Sequence, residues 1–276
     1  MIRLIVDSTS EIDNAEAEQL GIELLPMKVI FDDEELIVGV NMTTQEFFER
    51  LAKCKNLPKT TQINIEEYTN AINKVLSQGD QAFVISLSSG LSGSFNCLRL
   101  ASENFDRSCV RIFDSETVTF AYKALVMEGI KLVKQGVTLD QLEEGMKELR
   151  QKLRLYAVVD NLKYLIKGGR LSVVKGAAAT ALNIKPIVTM QNKKLEMISK
   201  AVGLSLGMKA ISKLVQNVDT SKAMYYAHSN DPCRAEKLRL FLLEHNGIDF
   251  SEICGIGPIV GTHAGPGCVG VAYFEK

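Results

Sequence analysis

Apolar runs that end in short acidic and hydroxyl-rich corners recur in the first part of the chain. Leu4 to Asp7 leads into Ser8-Thr9-Ser10-Glu11, Ala82 to Leu87 into Ser88-Ser89-Gly90-Leu91-Ser92-Gly93, and Val110 to Asp114 into Ser115-Glu116-Thr117. Continuous apolar runs of this length predict strands buried on both faces. The Asp, Ser and Thr side chains after them suit strand-to-helix corners, where they accept the free N–H groups of the following helix. Helical periodicity in good helix formers covers Phe95 to about Asn104, Thr44 to Cys54, Ile65 to Ser77, Tyr122 to Lys134 and Leu139 to Lys152. Repeated strand-loop-helix units predict a parallel sheet. Val29 to Val38 carries two β-rich runs around an acidic turn, a small hairpin excursion near residues 28–42.

From Tyr156 the texture changes. Short β-type runs at Tyr156 to Val159, Ile184 to Thr189, Leu195 to Ser199, Ala223 to Ala227 and Val269 to Phe274 alternate with helical stretches at Ala201 to Val215 and Cys233 to Leu243. The expected fold class is therefore α/β, with an N-terminal parallel-sheet domain over residues 1–155 and a C-terminal mixed α+β domain over 156–276. A length of 276 residues supports that division, because single cores usually stop growing near ~250 residues.

Charge narrows the partners. Thirty-two Lys plus Arg against 33 Asp plus Glu leave a formal charge of −1, which gives no global field for a phosphate backbone. No nucleic-acid motif or basic block offsets that balance, so nucleic acid is not expected as a partner. The six cysteines form no CxxC pair and read as small buried hydrophobes, and three scattered histidines give no metal-ligand spacing. No metal and no cofactor are expected. MIRLIVDSTSEI runs straight into a strand and lacks the features of a signal peptide. No apolar run approaches the ~20 residues of a membrane span, and a cytoplasmic location is expected.

Candidate chemistry concentrates in a few loops. Ser88 to Ser94 sits between a strand and a helix, where backbone N–H groups and hydroxyls converge on an anion; a plain cap with flexible glycines fits the loop equally well. Neither a Walker lysine nor a full GxSxG elbow is present. Thr60 and Thr61 precede the helix at Ile65, and capping is the simpler reading of their hydroxyls. Gly255 to Gly267 holds His263 in a stretch too rich in Gly and Pro for regular structure, so backbone there can approach a ligand and His263 can donate to a carboxylate. His228 and His245 read as surface or strand-end residues. Gly265, Gly267 and Gly270 spell GxGxxG, but only Val271 to Lys276 follow, which excludes a dinucleotide fold.

Lys167-Gly168-Gly169-Arg170 follows an amphipathic stretch from Asn161 to Ile166. The glycine pair ends that helix and places Arg170 on a turn, for an ion pair or for a phosphate or carboxylate. A small-residue run from Gly176 to Leu182 suits either core packing or the wall of an apolar tunnel. A serine hydrolase or acyltransferase built from Ser92, His263 and Asp7 or Asp114 stays open as an alternative.

Together these segments resemble the DegV family of bacterial fatty-acid-binding proteins along the whole chain. The likeness rests on IVDST at 5–9, TTQ at 60–62, SSGLSGS at 88–94, DNLKYLIKGGRLS at 160–172, LNIKPIV at 182–188 and IGPIVGTHAGPG at 256–267. The resemblance implies a buried long-chain fatty acid such as palmitate, stearate or oleate, with its carboxylate at the domain junction. Thr60 or Thr61, Ser92 with Gly93, and His263 match the family's carboxylate-binding positions, and Arg170 its GGR arginine near the head group or a partner surface. It further implies that catalysis belongs to a separate ATP-dependent fatty acid kinase, which makes acyl phosphate for phospholipid synthesis. Where many relatives carry an Arg/Lys-rich stretch, this chain reads Gly203-Leu204-Ser205-Leu206-Gly207-Met208, so a carrier with another partner also fits.

Overall fold

A computed structural model describes residues 1–171, 183–250 and 252–276. The chain opens with β1 (Ile2–Asp7), a 3-10 turn (Ser8–Ser10), α1 (Asn14–Leu20) and β2 (Glu23–Leu25). A hairpin follows, β3 (Lys28–Phe31) with β4 (Glu34–Ile37), then α2 (Thr44–Lys53), β5 (Lys59–Thr60) and α3 (Ile65–Ser77). The unit continues through β6 (Gln81–Ser86), α4 (Ser94–Ser102), β7 (Val110–Asp114), α5 (Thr119–Lys134) and α6 (Leu139–Lys152). Strands β2, β1, β6 and β7 form a parallel sheet in that order. Leu4, Ile5 and Val6 of β1 and Phe83, Val84 and Ile85 of β6 are all buried, as strands covered on both faces must be. The hairpin is extended by β5 into a small antiparallel sheet, the excursion expected near residues 28–42.

The second half runs β8 (Leu153–Val158), α7 (Lys163–Lys167), β9 (Ile184–Gln191), β10 (Lys194–Val202), α8 (Leu204–Leu214), β11 (Tyr225–His228), α9 (Pro232–Asn246), β12 (Ile253–Gly255), α10 (Pro258–Ala264) and β13 (Val269–Phe274). Six strands pair in the order β10-β9-β8-β13-β11-β12, antiparallel except β11 with β12. Alternation along β13 sorts its faces: Val269, Val271 and Tyr273 pack with Met208, Ile211 and Leu238 of α8 and α9, whereas Ala272 and Phe274 join the core shared with the parallel sheet. Gly270 belongs to the second face, where a β-carbon would stand 2.8 Å from the Phe120 ring and 2.7 Å from the Tyr156 carbonyl. Its missing side chain lets α5 lie directly against the strand.

The parallel sheet places the site. From β1 the chain steps outward to β2, and later crosses back to β6 and β7, so the direction of winding reverses between β1 and β6. Ligands in such sheets bind beyond the carboxyl ends of the strands at that reversal. Asp7 spans it: one carboxylate oxygen accepts the Leu87 amide at 2.9 Å, and the other the Thr9 amide and hydroxyl. Asp114, at the end of β7, accepts the Ser89 amide at 3.1 Å from the opposite side. Both corner aspartates therefore fasten the loop after β6, beyond capping their own turns.

Two expectations fail. The stretch 255–267 is not irregular, because Gly257 and Pro258 start α10 and close packing against Phe47 and Phe48 requires the small Gly261. The cysteines are not uniformly buried: Cys254 and Cys268 are, Cys54, Cys97 and Cys109 are partly covered, and Cys233 is exposed. The small-residue run 176–182 lies outside the described residues.

Candidate functional site

An apolar cavity lies where the carboxyl ends of the parallel strands meet the six-stranded sheet. Leu155 and Ala157 of β8, Val188 of β9 and Leu195 of β10 form one wall, Phe120 of α5 another, and Ile259, Val260 and Ala264 of α10 a third. Four of the residues singled out from sequence line the same cavity: Thr60, Ser92, Arg170 and His263. Thr61 does not; its hydroxyl accepts the Lys28 amide at 3.1 Å and fixes the β3–β5 pairing. Neither threonine caps α3, whose N-cap is Asn64 in a capping box with Glu67. Gly93 is the N-cap of α4, and a β-carbon there would stand 2.2 Å from the Gln62 carboxamide oxygen.

Hydrogen bonds within the site decide which protons face the cavity. His263 Nε2 is 3.1 Å from Thr60 Oγ1, and Nδ1 has no hydrogen-bond partner among the described residues. Gly168 presses on Nδ1 so closely that a β-carbon would sit 2.3 Å away. Burial foremost, and the nearby Arg170 charge next, lower the imidazole pKa from 6.5 to about 4, so the ring is neutral at pH 7 and carries one N–H. A buried unpaired donor is rarer and costlier than a buried unpaired acceptor. The proton therefore belongs on Nε2, donates to Thr60 Oγ1, and leaves the Thr60 O–H free to donate into the cavity.

The serines repeat this logic. Ser94 is fully buried; its Oγ accepts the Ile63 amide at 3.2 Å and lies 3.0 Å from Ser92 Oγ. The Ser94 proton has Ser92 as its outlet, and Ser92 Oγ also accepts the Ser94 amide at 3.2 Å. Ser92 thus accepts twice and keeps its own O–H for the cavity. Arg170, on the turn after α7 as expected, donates from Nε to the Leu91 carbonyl at 3.2 Å and from Nη1 to the Gly168 carbonyl at 2.6 Å. It forms no ion pair with a described residue. Two hydroxyl protons and a guanidinium beside an apolar chamber solvate a carboxylate well.

The same geometry leaves a serine nucleophile without its base. His263 is bonded to Thr60, and Asp7 and Asp114 are engaged by backbone amides and Lys193, so no Ser–His–Asp relay joins Ser92. Among the described residues no cluster of His, Cys, Asp and Glu could hold a metal ion, and no helix is long and apolar enough to cross a membrane.

A family model described as "Uncharacterised protein, DegV family" matches residues 1–276. The chain belongs to the DegV family. A DegV domain-containing protein of Clostridium acetobutylicum is 30% identical over 279 residues, covering 100% of this chain and 99% of that protein. Among solved structures, the fatty-acid-binding DegV family protein of Streptococcus agalactiae superposes with a TM-score of 0.90 at 23% identity, covering 100% of this chain and 99% of that one. DegV of Bacillus subtilis, a fatty acid binding protein, gives 0.85 at 26% identity, covering 100% and 99%. The mixed α/β fold of this DegV protein, one parallel and one mixed sheet, is thus the fold of its relatives.

Sequence reasoning missed parts of this DegV site. Gly168 was legible as the end of a helix but not as the surface against which His263 packs. Thr9 and Thr119 also line the cavity, and nothing in their local sequence separates them from ordinary corner residues. The Asn64 and Glu67 pair, three residues apart, was the available sign that Thr60 and Thr61 were free of capping duty.

Proposed function

We propose that this DegV protein binds a long-chain fatty acid, its carboxylate held by Thr60 and Ser92 beside Arg170, with His263 orienting Thr60, and its tail lying along the apolar walls. The observation that carries this reading is the gathering of the Thr60 and Ser92 hydroxyls and an arginine without an acidic partner among the described residues on one chamber otherwise lined largely by aliphatic and aromatic side chains. Each methylene of a tail moved from water into such a chamber contributes roughly 0.8 kcal/mol. Neutral His263 suits the role: it orients Thr60 without taking a proton from it. Binding here needs no cofactor.

The chain acts as a carrier, not a catalyst, and presents the carboxylate to a separate ATP-dependent fatty acid kinase that makes acyl phosphate for phospholipid synthesis. Arg170 is the residue placed to meet the incoming group or the partner. Where the resemblance implies a basic kinase-facing stretch, Gly203 is the N-cap of α8 and Leu206 is exposed, which favours docking by another surface. The function is tested by denaturing the purified protein and identifying extracted lipid by mass spectrometry. One equivalent of a long-chain acid is expected. No extracted acid, together with no uptake of added palmitate or oleate, would refute it.

A further inference from the structure

Glu11 ends the 3-10 turn after β1 in the left-handed region, at φ 58°. Its carboxylate makes two long-range bonds: Oε1 accepts the Thr119 hydroxyl at 2.7 Å, and Oε2 the Gly257 amide at 2.8 Å. Thr119 is the first residue of α5 and is buried at φ 56°, a conformation that β-branched residues avoid unless their surroundings impose it. Gly257 is the N-cap of α10, and a β-carbon there would stand 2.6 Å from Oε2. One carboxylate therefore joins the starts of two helices that supply Thr119, Phe120, Ile259 and His263 to the cavity. Glu11 itself lies outside the cavity, on a surface groove that shares Met27 and Ile259 with it.

We propose that Glu11 is a positioning residue that ties α5 to α10 and so sets how long a fatty acid stays in the cavity, without touching it. The inference rests on the binding function proposed above. When Glu11 lets go, two walls of the chamber lose their common anchor, Thr119 loses the bond that holds its unusual backbone, and the helix bearing His263 is free to shift from Thr60.

The groups facing Glu11 also make the joint sensitive to protons. Lys123 of α5 donates to the Glu11 carbonyl at 3.4 Å but is paired with Glu16 of α1 at 2.6 Å. Asp7 of β1 adds a second acid nearby, and the Cys254 thiol of β12 is close enough to feel Glu11's charge. Burial outweighs the hydrogen bonds and raises the carboxyl from 4.5 to about 7. A carboxyl raised in the fold is favoured there as the neutral acid, so its stabilising effect is present at low pH and is lost as pH rises through about 7.

The test is the release rate of a fluorescent polyene fatty acid, followed by stopped-flow displacement with excess oleate. Glu11→Ala is expected to release it roughly tenfold faster or more, because the buried Thr119 hydroxyl and the part-buried Gly257 amide lose their acceptor. Glu11→Gln keeps an amide oxygen that can accept from Gly257, places a polar amide beside Thr119 and does not titrate. It should restore release to within about threefold of wild type and flatten the acceleration that wild type shows as pH rises from about 4.5 to about 7. Thr119→Val, which removes one bond only, should fall between, and adding it to Glu11→Ala should change little. If Glu11→Ala does not fold, Thr119→Val and Glu11→Gln still decide. Release within twofold of wild type in the alanine variant, or in Thr119→Val where that variant is lost, overturns the proposal. So does a Gln variant with the wild-type pH profile. A wild type that takes up no probe at all instead refutes the binding function itself.

Discussion

Ser92→Ala and Thr60→Val should each weaken fatty-acid binding by about 1 to 3 kcal/mol, because each deletes one of the two hydroxyl protons available to a buried carboxylate. His263→Ala should cost a similar amount by another route. It removes the donor that keeps the Thr60 proton pointed into the cavity, and it opens space beside Gly168. Thr60 and His263 act as one unit, so their double variant should lose clearly less than the sum of the singles, whereas Ser92, held by Ser94, should combine with either more nearly additively. Titration with palmitate measures all of these. Full additivity between Thr60 and His263 would contradict the proton assignment.

Val188→Phe should have the other large effect, on the tail rather than the head. Val188 is buried in β9, lines the cavity from the six-stranded sheet, and shares that wall with Leu155 and Ala157. A phenyl group there takes room from the acyl chain, and displacing even four methylenes forfeits about 3 kcal/mol. Long-chain affinity should fall about a hundredfold or more. A short-chain acid, which engages mainly the head-group cluster, should lose much less. The folded protein should shift in thermal stability only by the modest cost of repacking, about 1 to 3 kcal/mol at most. Equal losses for short and long acids would mean that the tail does not run along β9.

The elements that could be read from sequence are those whose signals are local. The strands at Leu4 to Asp7 and Ala82 to Ser86 are apolar runs ending in a polar corner, Val110 to Asp114 is a β-rich run interrupted only by Arg111, and α3 and α6 begin and end where their periodicity does. Helix α10 was not legible, because its glycines read as breakers. In the fold they are contact points: Gly261 admits Phe47 and Phe48, and Gly265, at φ 70°, admits the ring of Tyr164. Tertiary packing decides such cases over propensity.

The same contrast governs the site. Ser92, His263 and Arg170 stood out by loop chemistry, but the bond between Thr60 and His263 joins residues 203 apart. Glu11 meets Gly257 across 246 residues. Nothing in either segment announces the other, so the choice between Thr60 and Thr61 required the β3–β5 pairing that turns one hydroxyl into the cavity and the other onto Lys28.

The most direct test of the head-group cluster is a crystal structure of the protein saturated with palmitate. The predicted result places the carboxylate within about 3.2 Å of both Thr60 Oγ1 and Ser92 Oγ, with the chain extending past Leu155 and Val188. Palmitate bound with its carboxylate away from those oxygens, or bound outside this cavity, would contradict it.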